Sequence, residues 1–341
     1  MSKPTIVFRV DGGTTIGMGH ITRCIALADM LKNDFRIEFV SHYLEETIEE
    51  QIAQVANSLT TLVRKDGSIS DILFIHSSND IIVIDNYNFK TEYQQAIKNK
   101  GCKLVVIDDL HAWHQLADVV INHAEGVDIA EYSAEPYTQF CLGLDYILLR
   151  KPFLQPKTTT RKITAAKKVF ISMGAADINN ITQKFTEALL QIKDIAEIHL
   201  MLGSINPNLE KIEKLIEENK QLKIVQHFNI SAEELAKLLS QCDVSICPAS
   251  SISLESCAIG IGLISGFTAE NQLGNLKGME KRKTLINFGD MNLLTVEEIK
   301  TKFTAIAANP EQLNELIINQ SKMIDGKSPE RLLKVFKGLI N

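Results

Sequence analysis

Two runs of the chain, Ile81-Ile82-Val83-Ile84 and Leu104-Val105-Val106-Ile107, contain no polar side chain. A strand with one wet face alternates apolar and polar residues, so an unbroken aliphatic run needs cover on both faces. Such strands belong to parallel sheets, whose neighbours are joined by crossover helices. The first 150 residues supply both parts. Thr5–Val10, Arg36–Ser41, Leu59–Val63, Ile81–Ile84, Lys103–Ile107 and Ala117–Ile121 read as strands. Gly19–Leu31 reads as an apolar-faced helix, and a second helix is expected near Glu45–Ala56.

The stretch 151–162 interrupts this alternation with two prolines, three consecutive threonines and clustered positive charge, the composition of a linker. The alternation then restarts. Strands are expected at Lys168–Met173, Glu197–Leu202, Lys223–Val225, Val244–Cys247 and Gly262–Ser265. Helices are expected at Asn179–Ile192, Leu209–Glu218, Ala232–Ser240 and Ser251–Ile259. From Val296 onward the pattern is helical, ending near Pro329–Leu339. The expectation is an α/β chain of two doubly wound, Rossmann-like domains facing a cleft: 1–150, and 163–341 with its last helix free to pack back on the first. Ligands of such sheets sit beyond the carboxyl ends of the strands.

Several function classes are disfavoured. With 36 Lys+Arg against 42 Asp+Glu the formal charge is −6, a poor bulk charge for nucleic acid. No apolar run approaches the roughly 18–20 residues of a membrane span, and MSKPTIVFRV lacks the apolar core of a signal peptide. The six cysteines are scattered without a C-x-x-C, which suits reduced thiols in a cytoplasmic protein. No metal site and no cofactor are expected; the partner is a small molecule, and the sequence leaves the oligomeric state open.

Three clusters carry the chemistry. Asp11-Gly12-Gly13-Thr14-Thr15-Ile16-Gly17-Met18-Gly19-His20-Ile21-Thr22-Arg23 follows the first strand and opens the first helix. Its glycines let backbone approach a ligand, but the spacing is not the G-x-G-x-x-G dinucleotide fingerprint. His20, at the positive end of a helix, is kept neutral and able to act as a general base; a packing role is the alternative. Asp11 would orient His20 or hold a substrate group, or merely cap the loop. Arg23, at i+3, shares the face of His20 or lies on the surface.

The second cluster lies in the second half. Ser172-Met173-Gly174-Ala175-Ala176-Asp177 and Pro248-Ala249-Ser250-Ser251-Ile252-Ser253-Leu254-Glu255 each lead from a strand into a helix, where backbone N–H groups attract phosphate. Ser250, Ser251 and Ser253 add hydroxyls, and Glu255 is placed for ribose hydroxyls; a Ser-to-Glu capping box is the alternative. Asn271 and Gln272 follow the next strand. The third cluster is Asp108 and Asp109 with His111, Trp113 and His114, then Asn122. It reads as a polar rim for substrate amides with the sole tryptophan as a flat wall, or as an ordinary surface loop. Asp85, Asn86 and Tyr87 lie on the same rim.

In this order the segments Asp11 with Ile16-Gly17-Met18-Gly19-His20-Ile21-Thr22-Arg23, Ile107-Asp108-Asp109-Leu110, Ala117-Asp118 to Asn122, Leu142 to Arg150, Met173 to Asp177, Ser250-Ser251 with Glu255, and Asn271-Gln272 resemble a known family. It is that of the UDP-2,4-diacetamido-2,4,6-trideoxy-β-L-altropyranose hydrolases of pseudaminic acid biosynthesis. The resemblance covers nearly the whole chain, and G-x-G-H-x-x-R is its most specific part. It implies a GT-B fold, UDP in the C-terminal domain, His20 as the catalytic histidine, Glu255 on UDP, and Asn271 and Gln272 at the nucleotide-sugar site. The chain departs from the family at Ala175 and Ala176, where adjacent glycines are usual, and at His111, Trp113 and His114, where an arginine is usual. The function expected is hydrolysis of a UDP-sugar, with His20 activating water. A GT-B glycosyltransferase and a non-catalytic nucleotide-sugar binder are the alternatives.

Overall fold

The computed structural model describes residues 3–12, 18–42, 44–62, 77–155 and 161–340. The chain divides into two compact units: 1–151 with 326–341, and 152–325.

Unit 1 is built on seven strands: β1 (Thr5–Val10), β2 (Arg36–His42), β3 (Ser58–Leu62), β4 (Ile81–Asp85), β5 (Lys103–Ile107), β6 (Val119–Asn122) and β7 (Gln139–Leu142). They pair in the order β3-β2-β1-β4-β5-β6-β7, every pair parallel. The helices are α1 (Gly19–Leu31), α2 (Glu46–Ala53) and α3 (Thr91–Lys98). The unbroken runs do what their composition requires. Every residue of β4 is buried, with Ile81 and Val83 in one core layer and Ile82 and Ile84 in the other.

Unit 2 carries β8 (Lys168–Ser172), α4 (Ile181–Leu190), β9 (Glu197–Leu202), α5 (Leu209–Glu218), β10 (Lys223–Phe228), α6 (Ala232–Gln241), β11 (Val244–Pro248), α7 (Ser251–Ile259), β12 (Gly262–Phe267), α8 (Leu273–Lys281), β13 (Ile286–Asp290), α9 (Val296–Ala307) and α10 (Pro310–Gln320). Its six strands are again all parallel, in the order β10-β9-β8-β11-β12-β13. Both sheets have Rossmann strand order, with a switch point between β1 and β4 in unit 1 and between β8 and β11 in unit 2.

Unit 2 begins before residue 163, and the last helix packs on unit 1. Arg161 is already bound into unit 2 by bonds to the Cys242 carbonyl and, at 3.0 Å, to Asp243. The last helix, α11 (Ser328–Gly338), joins unit 1 because its apolar face belongs there. Leu332 and Phe336 are fully buried in the α1 core layer, with Phe336 set edge-on to Phe35 at 6.3 Å. Lys337 pairs with Asp34 at 2.7 Å. Among the described residues no helix is long and apolar enough to cross a membrane.

Candidate functional site

At the unit 1 switch point the ends of β1 and β4 lie side by side, Val10 opposite Asp85. The helix that follows β1 begins at Gly19 with no side chain capping it. This puts His20 in the first turn and Arg23 one turn on, both over Asp85. His20 Nδ1 is 2.5 Å from Asp85 Oδ1. Arg23 donates from Nε to Asp85 Oδ2 and from Nη2 to Oδ1, each at 2.6 Å, and from Nη1 to Asp109 Oδ2 at 3.1 Å. All of His20, Arg23 and Asp85 are buried. Burial pushes the Asp85 carboxyl up, but Arg23 and then His20 outweigh it and hold the group well below the usual carboxylate range.

An ionised carboxylate only accepts, so the proton between the two groups sits on His20 Nδ1. In the neutral ring this fixes the tautomer, with the lone pair on Nε2. Arg23 Nη2, 3.1 Å from the same Nδ1, is a fellow donor to Asp85 rather than a partner of the ring. The Tyr87 ring meets the imidazole edge-on at 4.6 Å and restricts its rotation. A histidine oriented through one nitrogen by a buried carboxylate, with the other nitrogen basic, is the geometry of a general base.

Other residues of the first and third clusters bond within the protein. Asp11 does not orient His20. Its Oδ1 accepts from Arg9 at 2.6 Å and from the His42 backbone at 3.0 Å, and its Oδ2 accepts from Asn86 at 3.0 Å. It thus ties the ends of β1, β2 and β4 together. Asn122 donates to His111 Nε2 and Tyr132 Oη, both at 3.0 Å, and accepts from Ala124 N–H. Asp108 Oδ2 accepts from the His111 backbone, and burial raises its carboxyl. Gly19 has open space where a side chain would stand. Gly17 lies outside the described residues.

In unit 2 the two strand-to-helix turns differ. Gly174 takes a φ of +86°, and its neighbour Ala175 lies so near the end of β9 that a Cβ on Gly203 would fall 2.3 Å from the Ala175 carbonyl oxygen. Asp177 then turns its carboxylate onto the start of α4, accepting from Ile181 N–H at 2.8 Å and Thr182 N–H at 2.9 Å. The donors expected to meet phosphate there are occupied by the chain's own anion. At the start of α7, by contrast, Ser250 makes no side-chain cap bond. Ser250 and Ser251 are partly exposed, whereas the Ser253 hydroxyl is buried and donates to the Ser250 carbonyl at 2.7 Å, out of reach of a ligand. Glu255 is buried in the second turn. Asn271 is exposed, and Gln272 Oε1 accepts from Thr268 N–H at 2.8 Å, bracing the turn after β12.

The structure therefore brings together His20, Arg23, Asp109 and a residue that sequence reasoning left on the rim, Asp85. The available signal was an acidic residue ending a fully apolar strand. His123 went unnoticed. Its Nδ1 accepts from Leu148 N–H at 3.1 Å, and burial beside Arg23 pushes the ring down to about 4. Among the described residues, no group of three His, Cys, Asp or Glu side chains could hold a metal ion.

No protein-family model matches the chain. It is 24% identical over 338 residues to the spore coat polysaccharide biosynthesis protein SpsG of Bacillus subtilis, covering 96% of each. It is 26% identical over 284 residues to the UDP-2,4-diacetamido-2,4,6-trideoxy-β-L-altropyranose hydrolase of Campylobacter jejuni, covering 81% of this chain and 96% of that one. Among solved structures, MurG of Acinetobacter baumannii superposes with a TM-score of 0.66 at 14% identity, over 98% of this chain and 100% of its own. The likeness to MurG is one of fold, GT-B, each unit being built on a parallel sheet with helices.

Proposed function

We propose that the protein is a UDP-sugar hydrolase that cleaves a UDP-linked diacetamido-trideoxy hexose into UDP and free sugar, in the biosynthesis of a pseudaminic-type acid. The observation that carries this is the 2.5 Å bond between His20 Nδ1 and the buried Asp85 carboxylate, which leaves Nε2 as a base. The relatives' names, one a UDP-sugar hydrolase and one a polysaccharide biosynthesis protein, support the substrate class.

The work is divided between the two switch points. In unit 2 the uncapped start of α7 takes the diphosphate, and Glu255 accepts from the ribose. In unit 1 water gives a proton to His20 Nε2 as its oxygen bonds to the anomeric carbon. The bond from that carbon to the UDP oxygen breaks, and UDP leaves as the anion, its charge stabilised by the backbone donors of α7. Asp85 and Arg23 position the ring and stabilise the imidazolium that forms.

A glycosyltransferase would use the same base on an acceptor hydroxyl, a reading favoured by the fold. Incubation with the UDP-sugar alone in H₂¹⁸O separates the two. UDP should be released without any acceptor, with label in the sugar and none in UDP. Label in UDP would place attack at phosphorus, and release only on adding a second sugar or lipid would make the protein a transferase.

A further inference from the structure

Along β4 and β5 the side chains that face α1 alternate with those that face α3. Ile81 and Val83 of β4, and Val105 and Ile107 of β5, lie in the α1 core layer, so the next residue in each alternation is Asp85 and Asp109. Both carboxylates thus come to α1, where Arg23 donates to each, at 2.6 Å to Asp85 and at 3.1 Å to Asp109 Oδ2. His20, one turn earlier on the helix, bonds Asp85.

This arrangement sets a charge problem. When His20 takes a proton, the imidazolium Nδ1 stands 3.1 Å from Arg23 Nη2. Two cations then share the single carboxylate of Asp85, and all three groups are buried. A buried charge without a counter-charge is costly. Asp109 supplies the missing one. With neutral His20, two carboxylates and one guanidinium leave the cluster at −1; with imidazolium it is neutral.

The surrounding titratable groups do not alter that balance near pH 7. Cys24 donates to Asp85 Oδ2 at 3.6 Å, and burial keeps it a thiol. His123, two residues past Ile121 of the same core layer, is uncharged because burial beside Arg23 pushes it down to about 4. Tyr87 donates its hydroxyl to Asp109 Oδ2 at 3.4 Å. Arg9 and Asp11, at the end of β1, pair with each other at 2.6 Å. Asp108 takes the opposite side of the alternation, with its Oδ2 on His111 N–H at 2.9 Å.

We propose that Asp109 is a positioning residue for proton transfer: through Arg23, it is the counter-charge that lets His20 become an imidazolium inside the protein. The proton taken from water then brings the buried cluster to neutrality rather than to an uncompensated positive charge. The proposal rests on the reading of His20 as the base and adds to it the group that sets the strength of that base.

The test reads the His20 ring directly, by NMR titration of isotope-labelled histidine rings in the full chain, with the His20 signal identified by its loss in His20→Gln. Asp109→Asn keeps the size of the side chain but removes its charge, and Asp109→Ser removes the charge with less bulk. In either variant the midpoint of the His20 titration should fall by about 0.5–1 pH unit, less than for a charge in direct contact because Asp109 acts at one remove. Arg23→Gln removes the opposite charge and should raise the midpoint. Asp109→Glu keeps the charge and should leave the midpoint near that of the intact protein. Asp108→Asn, on the opposite side, should move it clearly less than Asp109→Asn does. With the diacetamido UDP-sugar as substrate, the acid limb of the kcat/KM profile should move with the titration. A midpoint unmoved in Asp109→Asn and Asp109→Ser, or moved as far by Asp108→Asn, overturns the assignment. Shifts of the expected sign in a protein that releases no UDP would leave the charge coupling standing and remove the hydrolase reading instead.

Discussion

The two sheets share one strand order, and each places a helix start beside its switch point, yet the two points are furnished in opposite ways. In unit 1 the charges bond one another. Asp85 takes His20 and Arg23, and Asp11 takes Arg9, the His42 backbone and Asn86. Among the described residues, the second nitrogen of one imidazole and the buried Oδ1 of Asp109 are left over there. In unit 2 the start of α7 has no side-chain cap, while the neighbouring start of α4 is closed by Asp177. A charge cluster whose members bond chiefly one another suits proton transfer, which needs one group held in register. An open helix start suits reversible binding of an anion.

Replacing His20 is the sharpest way to break that contrast. His20→Ala should lower turnover by roughly 10²–10⁴-fold, the usual size of a lost general base. Calorimetric affinity for UDP should stay within about 2-fold, because the nucleotide is assigned to unit 2. Near-wild-type turnover would remove His20 from its role.

The next effect is on stability in acid. In the folded chain burial holds His123 down at about 4, against about 6.5 when unfolded. Between these values the unfolded chain binds more protons, so stability is complete above pH ~6.5 and falls as the pH drops toward 4, by up to about 3 kcal/mol. Asp85, held below its ordinary value, adds stability above about pH 3.9 that is lost on further acidification. A melting temperature that stays flat from pH 7 to pH 4 would contradict a neutral, buried His123.

Glu255→Ala tests the other side of the comparison. It should weaken UDP binding by about 1.5–3 kcal/mol, as for a charge-assisted hydrogen bond. Unchanged affinity by calorimetry would refute the ribose contact. The smallest effect is expected at the closed helix start. Asp177→Ala should cost about 0.5–2 kcal/mol in denaturant unfolding, as for a lost cap, with UDP affinity nearly unchanged. A large loss of affinity instead would move the diphosphate to α4 and erase the difference between the two helices.

Much of the scaffold was legible because apolar runs declare themselves one residue at a time. The central strands β4 and β5 coincide with such runs. The edge strands β7 and β13 do not. Gln139-Phe-Cys-Leu and Ile286-Asn-Phe-Gly-Asp each have a wet side and carry no unbroken run. Helix α3 was overlooked because only Tyr93, Gln94 and Ile97 of its eight residues are buried. In the candidate site, His20 and Arg23 could be paired from their i, i+3 spacing. Asp85 could not, since 62 residues separate it from Arg23 and only the pairing of β1 with β4 brings them together. Asp177 looked like a ligand for phosphate because the cap it makes depends on where α4 begins. That is Ile181, after Asn180 in the left-handed region, two residues later than periodicity suggests.

The return of α11 to unit 1 has a consequence for the order in which the chain is made. Synthesis delivers β1 to β7 first and then all of unit 2, and only afterwards Leu332 and Phe336. Until those side chains arrive, the α1 layer of the first core has an open apolar seam. Unit 2, contiguous in sequence, can complete its own core in the meantime. The first half of the protein to be synthesised is therefore the last to be finished, and a nascent chain halted near residue 325 carries the exposed surface on which aggregation begins.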